Sequence, residues 1–111
     1  MAVYSNLTVD QGTDFTASVD VTDTDGDALN LTGFTVAGQV RRSYYSSTAT
    51  NLTCAVANAT SGVITVSLSA AQSDAMKPGR YVYDVEITNS GAVKTRVLEG
   101  QLEIMPGVTK I

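Results

Sequence analysis

The sequence predicts an all-β fold: an antiparallel β-sandwich of about seven strands, with one short helical turn before the sixth major strand. Three observations carry that prediction. Apolar and polar residues alternate at period two through most of the chain, as they do in half-buried strands. The composition suits strands: 25 of the 111 residues are Ser or Thr, and Trp and His are absent. That usage lies far from the Leu, Glu, Lys and Ala of helix bundles. Polar turn signals also divide the chain at intervals of about 8 to 15 residues. At this length a single domain, residues 1–111, is expected to form around one core.

The opening segment VYSNLTVD reads as an edge strand, and QGTD turns the chain out of it. DFTASVDVTD places Phe15, Ala17, Val19 and Val21 on one face, with Thr16, Ser18, Asp20 and Thr22 on the other. In FTVAGQVRR, Phe34, Val36, Gly38 and Val40 face inward, opposite Thr35, Gln39 and Arg41. Leu52, Cys54 and Val56 mark the next inward face, and Ile64, Val66 and Leu68 the one after it. LSAAQSDAMKPGRY then breaks the rhythm. Ser69 is placed to cap a short helical run from Ala70 to Met76, and Pro78-Gly79 stops it. In RYVYDVEIT, Tyr81, Tyr83, Val85 and Ile87 point inward, with Asp84 and Glu86 outward. The last strand, VKTRVLEGQLEIM, changes phase: Leu98, Leu102 and Ile104 share one parity, whereas Val93 and Val97 hold the other. A bulge, or a strand that passes between sheets, is expected there.

A helical turn leading into a strand that begins Gly-x-Tyr matches the crossover into the sixth strand of immunoglobulin-like domains. There, a tyrosine near the strand start bonds back to the preceding backbone. Tyr81 is the candidate for that corner. The paired cysteines and core tryptophan of antibody domains are missing, so only the architecture carries over.

Charge and motif content narrow the function. The net charge is −4, the pI is near 4.4, and only Arg41 and Arg42 are adjacent among the seven basic residues. A phosphate backbone would meet repulsion, so no nucleic-acid partner is expected. No apolar run approaches the roughly 18 residues of a membrane span, and the start lacks a basic and then apolar leader. The expectation is a soluble chain with no export signal and no membrane partner. With no histidine, Ser/His and Cys/His nucleophile pairs are excluded, and no enzyme activity or cofactor is expected. Cys54 is alone and in phase with Leu52 and Val56, so it reads as a small core residue. Asn6, Asn30, Asn51 and Asn58 each open an Asn-x-Ser/Thr sequon, a match that chance readily produces in so Thr-rich a chain.

Two stretches are candidate sites. TDTDGDALNLTG holds Asp23, Asp25 and Asp27 at alternate positions around Gly26. They are weak candidates for a cation, because no register supplies both the glycine and the closing Glu of an EF-hand-type loop. Asp25-Gly26 is a favoured hairpin dipeptide, which supports a turn instead. VRRSYYSS carries Arg41, Arg42, Tyr44 and Tyr45, the residue types most enriched at interface hot spots, and reads either as a partner-binding patch or as an amphipathic strand end whose tyrosines cap the core. Alternation places Arg41, Ser43 and Tyr45 on one face, with Arg42 and Tyr44 on the other.

Taken in order, LTVDQGTDF, DGDALNLTGFTVAGQVR, SGVITVSLSAAQSDAMKPGRYVYDVEI and VLEGQLEIMPGVT form a pattern covering Leu7 to Pro106. It resembles small virion structural proteins of tailed bacteriophages, including T4-like phages of cyanobacteria. It is also similar to the immunoglobulin-like N-terminal domain of the phage baseplate upper protein family. In that family the domain opens a longer protein, whereas this chain ends five residues after Pro106. The resemblance implies a non-enzymatic virion component, a capsid decoration or cement protein or a neck, tail or baseplate part. It would assemble in the host cytoplasm, contact other virion proteins and form a homo-oligomer. A carbohydrate- or Ca²⁺-dependent adhesion module is the alternative.

Overall fold

Eight strands and one helix account for most of the described residues, 3–23 and 25–108, of the computed structural model. They are β1 (Val3–Tyr4), β2 (Leu7–Asp10), β3 (Phe15–Asp20), β4 (Thr35–Arg41), β5 (Thr50–Asn58), β6 (Val63–Leu68), α1 (Ala70–Ala75), β7 (Gly79–Thr88) and β8 (Lys94–Met105). If β1 and β2 are counted as one interrupted edge strand, the number is the seven that alternation predicts, and α1 precedes the sixth. The strands hydrogen-bond in the order β1-β8-β7-β4-β5-β6-β3, with β2 also on β8. The sheet curls around a single core that draws Val9, Val40, Leu52, Ile64, Val85 and Leu102 from six different strands.

Two departures from a plain antiparallel arrangement shape the sheet. β1 and β2 run parallel to β8, through Val3↔Leu98 and Leu7↔Leu102, instead of antiparallel to a neighbour. A parallel pair cannot be joined by a hairpin, and here nearly the whole chain serves as the crossover. β5 then changes partner along its length. Thr50, Asn51 and Leu52 pair with β4, whereas the stretch from Thr53 to Asn58 pairs with β6. That switch curls the sheet, because one strand belongs to both of its halves.

The predicted faces are the observed ones. Ile64, Val66 and Leu68 are buried along β6, and Tyr83, Val85 and Ile87 along β7. Each such side chain contributes about 1.5–3 kcal/mol through the apolar surface it removes from water. The phase change in the last strand is a bulge. β7 pairs Val85 with Leu98 and then Glu86 with Arg96, so Val97 is the extra residue and the parity resets there.

The interruption between β1 and β2 has its cause on β8. Ser5 crosses over Gly100 so closely that a Cβ at position 100 would collide with the Ser5 carbonyl. Ser5 donates its N–H to the Glu99 carbonyl at 2.8 Å, and the Asn6 carboxamide accepts the Gln101 N–H at 3.1 Å. The side chain therefore satisfies a backbone donor that the broken ladder would leave free.

α1 forms where its caps predict. Ser69 Oγ accepts the Gln72 N–H at 3.2 Å, and Gln72 Oε1 accepts the Ser69 N–H at 3.0 Å, a complete capping box. Four further hydrogen bonds pin so short a helix. Asp14 Oδ1 accepts the Ala70 N–H at 2.6 Å, and Gln11 donates to the Met76 carbonyl at 3.0 Å. The fully buried Ser73 hydroxyl donates to the Thr13 carbonyl at 2.8 Å and accepts the Gly12 N–H at 3.1 Å.

Candidate functional site

The strand period that reaches Arg41 stops there. The Ser46 N–H bonds the Ser43 carbonyl at 3.1 Å, so Ser43 to Ser46 form a turn and not a continuation of β4. Arg41 braces this turn: its Nη1 donates to the Ser46 carbonyl at 2.6 Å and its Nη2 to Gln39 Oε1 at 3.0 Å. The face assignment made from alternation is corrected accordingly. Tyr44, expected with Arg42, instead lines a groove of about 300 Å³ with Arg41, Gln39, Asp84 and Arg96. Tyr44 is 73% exposed and Tyr45 98% exposed, the latter among the most solvent-open large apolar side chains of the described residues.

Arg42 turns the other way. Its guanidinium carbon lies 4.9 Å from the centre of the Tyr81 ring, within cation–π range. The Tyr81 hydroxyl in turn donates to the Lys77 carbonyl at 2.8 Å, the bond expected of the corner tyrosine. Gly79 makes room for the stack. Its φ is +138°, and a Cβ there would lie 2.7 Å from Arg42 Nη1. A second hollow, a cleft of about 490 Å³, opens between β4 and this corner; Arg41, Arg42, Lys77, Thr48 and Tyr81 line it.

The two hollows differ in charge. In the groove, Asp84 and Glu86 face Arg96, whose Nε lies 3.2 Å from Asp84 Oδ2 and whose Nη1 lies 3.9 Å from Glu99 Oε2. The side chains are partly exposed, so these pairs add little stability. The cleft gathers three cationic side chains and no carboxylate among its lining residues. Among the described residues, no ion pair engages any of the three. Lys77 and Tyr81 were not read as site residues from the sequence. The only local signal was the corner motif, which brings the end of the α1 segment against β4.

Asp23, Asp25 and Asp27 build a turn. Asp23 Oδ1 accepts the N–H groups of Asp25 at 2.9 Å and Asp27 at 3.0 Å, while the Asp23 N–H bonds the Asp27 carbonyl at 2.8 Å. Gly26 supplies a φ of +86°, and a bridge from Thr22 to Ala28 closes the base. Among the described residues, no group of three His, Cys, Asp or Glu converges as a metal site. The four sequon asparagines also serve as side-chain acceptors, Asn30 for Thr32 and Asn58 for Ser61 within their turns, Asn51 for Gln39 across strands and Asn6 for Gln101 across the chain. Cys54 is half-buried against the core, and burial pushes its thiol up to about 11, away from the reactive thiolate. No helix among the described residues is long and apolar enough to cross a membrane.

A scan against protein-family models and a search of curated proteins give no match. Among solved structures, the chain is similar to part of an internalin-like protein of Listeria monocytogenes. The identity is 14%, the match covers 96% of this chain and 28% of that one, and the TM-score is 0.47. It is also similar to part of a family 123 glycoside hydrolase from Clostridium perfringens. There the identity is 13%, the coverage 97% of this chain and 24% of that one, and the TM-score 0.44. This chain spans roughly a quarter of the length of each.

Proposed function

We propose that the chain is a non-enzymatic structural component of a tailed-bacteriophage particle, an immunoglobulin-like sandwich that acts through protein–protein contacts. The carrying observation is the braced turn after β4. Tyr44 and Tyr45 are 73% and 98% exposed on a loop that is closed by the Ser46 N–H to Ser43 carbonyl bond and held to β4 by the Arg41 bond to the Ser46 carbonyl. Large aromatics presented on a stiff loop lose little conformational freedom when a partner covers them, which makes them effective anchors. The pairing of β2 with β8, the run β8-β7-β4, the run β5-β6-β3 that β5 joins to it and the Tyr81 corner support the immunoglobulin-like reading. The ordered resemblance to phage virion modules supports the assignment to a particle, built in the host cytoplasm from this and other virion proteins.

Mass spectrometry of purified particles of the encoding phage tests the reading. The protein is expected as a stoichiometric component, and its absence would refute the proposal. Within the particle, Tyr44→Ser with Tyr45→Ser should reduce incorporation while leaving the fold intact.

One observation favours a second reading, a carbohydrate-binding adhesion module. Tyr44 stands beside a polar groove that also carries Gln39, Asp84, Glu86 and Arg96, groups able to hydrogen-bond sugar hydroxyls. Glycan-array binding that disappears on Tyr44→Ala and Tyr45→Ala would select it.

A further inference from the structure

The cationic cleft and the aspartate turn lie at opposite ends of the strands. Arg41 pairs with Val82 near the start of β7, whereas Thr35, at the other end of β4, pairs with Thr88 at its finish. The aspartate turn belongs to the Thr35 end, tied there by Val21 N–H to the Gly62 carbonyl at 2.7 Å and Leu31 N–H to the Ala59 carbonyl at 2.7 Å. Six residues of strand therefore separate the two features, about 20 Å along β4.

Among the described residues, no ion pair engages the charged side chains of either feature. In the turn, Asp23 Oδ1 holds the Asp25 and Asp27 N–H groups, and Asp23, Asp25 and Asp27 are all exposed. The cleft sets the Arg42 guanidinium on Tyr81, and Lys77 and Arg41 also line it, with the Arg41 guanidinium bonded to the Ser46 carbonyl and to Gln39 of the neighbouring groove.

We propose that the Asp23–Asp27 turn of one copy seats in the Arg41, Arg42 and Lys77 cleft of the next, so that the chain self-associates head to tail. The proposal rests on the reading of this region as an assembly surface and names its partner. Charge complementarity selects a second copy: the protein is acidic overall, yet this cleft is cationic, and the strongest cluster of carboxylates sits on a turn at the far end. Because the two surfaces differ, each contact leaves a free turn and a free cleft. Growth continues until it closes into a ring or runs on as a filament.

Sedimentation velocity of the full chain at about 0.1 mM tests this, in about 50 mM and about 500 mM NaCl. Oligomers are expected at low salt, with association weakened at least about tenfold at high salt. Arg42→Ser with Lys77→Ser, and separately Asp25→Asn with Asp27→Asn, should each leave monomers with an unchanged circular dichroism spectrum. Mixing the two variants should give a 1:1 dimer and nothing longer, because each supplies the one surface the other lacks.

A wild-type chain that stays monomeric at low salt overturns the proposal, as do charge variants that associate like wild type. If oligomers persist in the charge variants but dissociate with Tyr44→Ser and Tyr45→Ser, the assembly reading stands and this pairing falls. If the protein is absent from particles yet shows the predicted 1:1 dimer, the pairing stands and the virion reading falls.

Discussion

The Tyr83 hydroxyl donates to the Ser5 carbonyl at 2.7 Å, joining residues 78 apart in sequence where β1 gives way to β2. Tyr83 is 4% exposed, so removing its hydroxyl leaves the Ser5 carbonyl short of a partner beside the core. Tyr83→Phe should cost about 1–2 kcal/mol and lower Tm by about 5–10 °C, read by thermal unfolding. A Tm within a degree of wild type would mean that this bond contributes nothing.

Stability should fall in alkali. Burial pushes the Tyr83 hydroxyl up to about 12 from 10.0 and the Cys54 thiol up to about 11 from 9.0. Both groups hold their protons more tightly in the folded chain than in the unfolded one. Their contribution is complete below pH 9 and is lost as pH rises through the folded values, across a window of about pH 9 to 12. Urea unfolding across that window should give a flatter pH profile for Tyr83→Phe with Cys54→Ala, even if its absolute stability is lower.

Gly100→Ala places a methyl group on the Ser5 carbonyl, a backbone atom with no rotamer to move away. We expect a loss of about 2–3 kcal/mol. Hydrogen exchange should localise the damage, with protection lost at Ser5 and along β2 before β6 and β7 respond.

The aspartate turn needs no metal to close. Tm should be the same in EDTA and in about 1 mM Ca²⁺, whereas a site that binds Ca²⁺ would raise it with concentration. Asp23→Ala should cost about 1 kcal/mol, because the Asp25 and Asp27 N–H groups lose their shared acceptor. Asp23→Asn keeps that acceptor and should be close to neutral.

Much of the fold was legible because alternation reports a local property. Phe15, Ala17 and Val19 share a face in any strand that buries one side, whatever its neighbours. The capping box of Ser69 and Gln72 and the Pro78-Gly79 stop are likewise written within one turn of chain. The candidate site was legible only in part. Alternation misplaced Tyr44 because period two holds only while the backbone is extended, and β4 ends at Arg41. Lys77 and Tyr81 went unread as cleft residues, since only the register of β7 on β4 brings them to Arg42.

The sequence by itself determined which faces are apolar, where the short helix starts and stops, and that Tyr81 turns back to the loop before it. Each follows from residue identity and spacing over a few positions. Only the tertiary structure decided that β1 and β2 run parallel to β8, that β5 serves both halves of the sheet, and that the hydroxyls of Ser73 and Tyr83 clasp distant segments. The same holds for the separation of the cationic cleft from the aspartate turn. Those outcomes depend on which strand edges meet, and all strand edges carry the same backbone donors and acceptors. Partner choice is therefore settled by how the whole chain best closes one core, as in the crossing of Ser5 over Gly100.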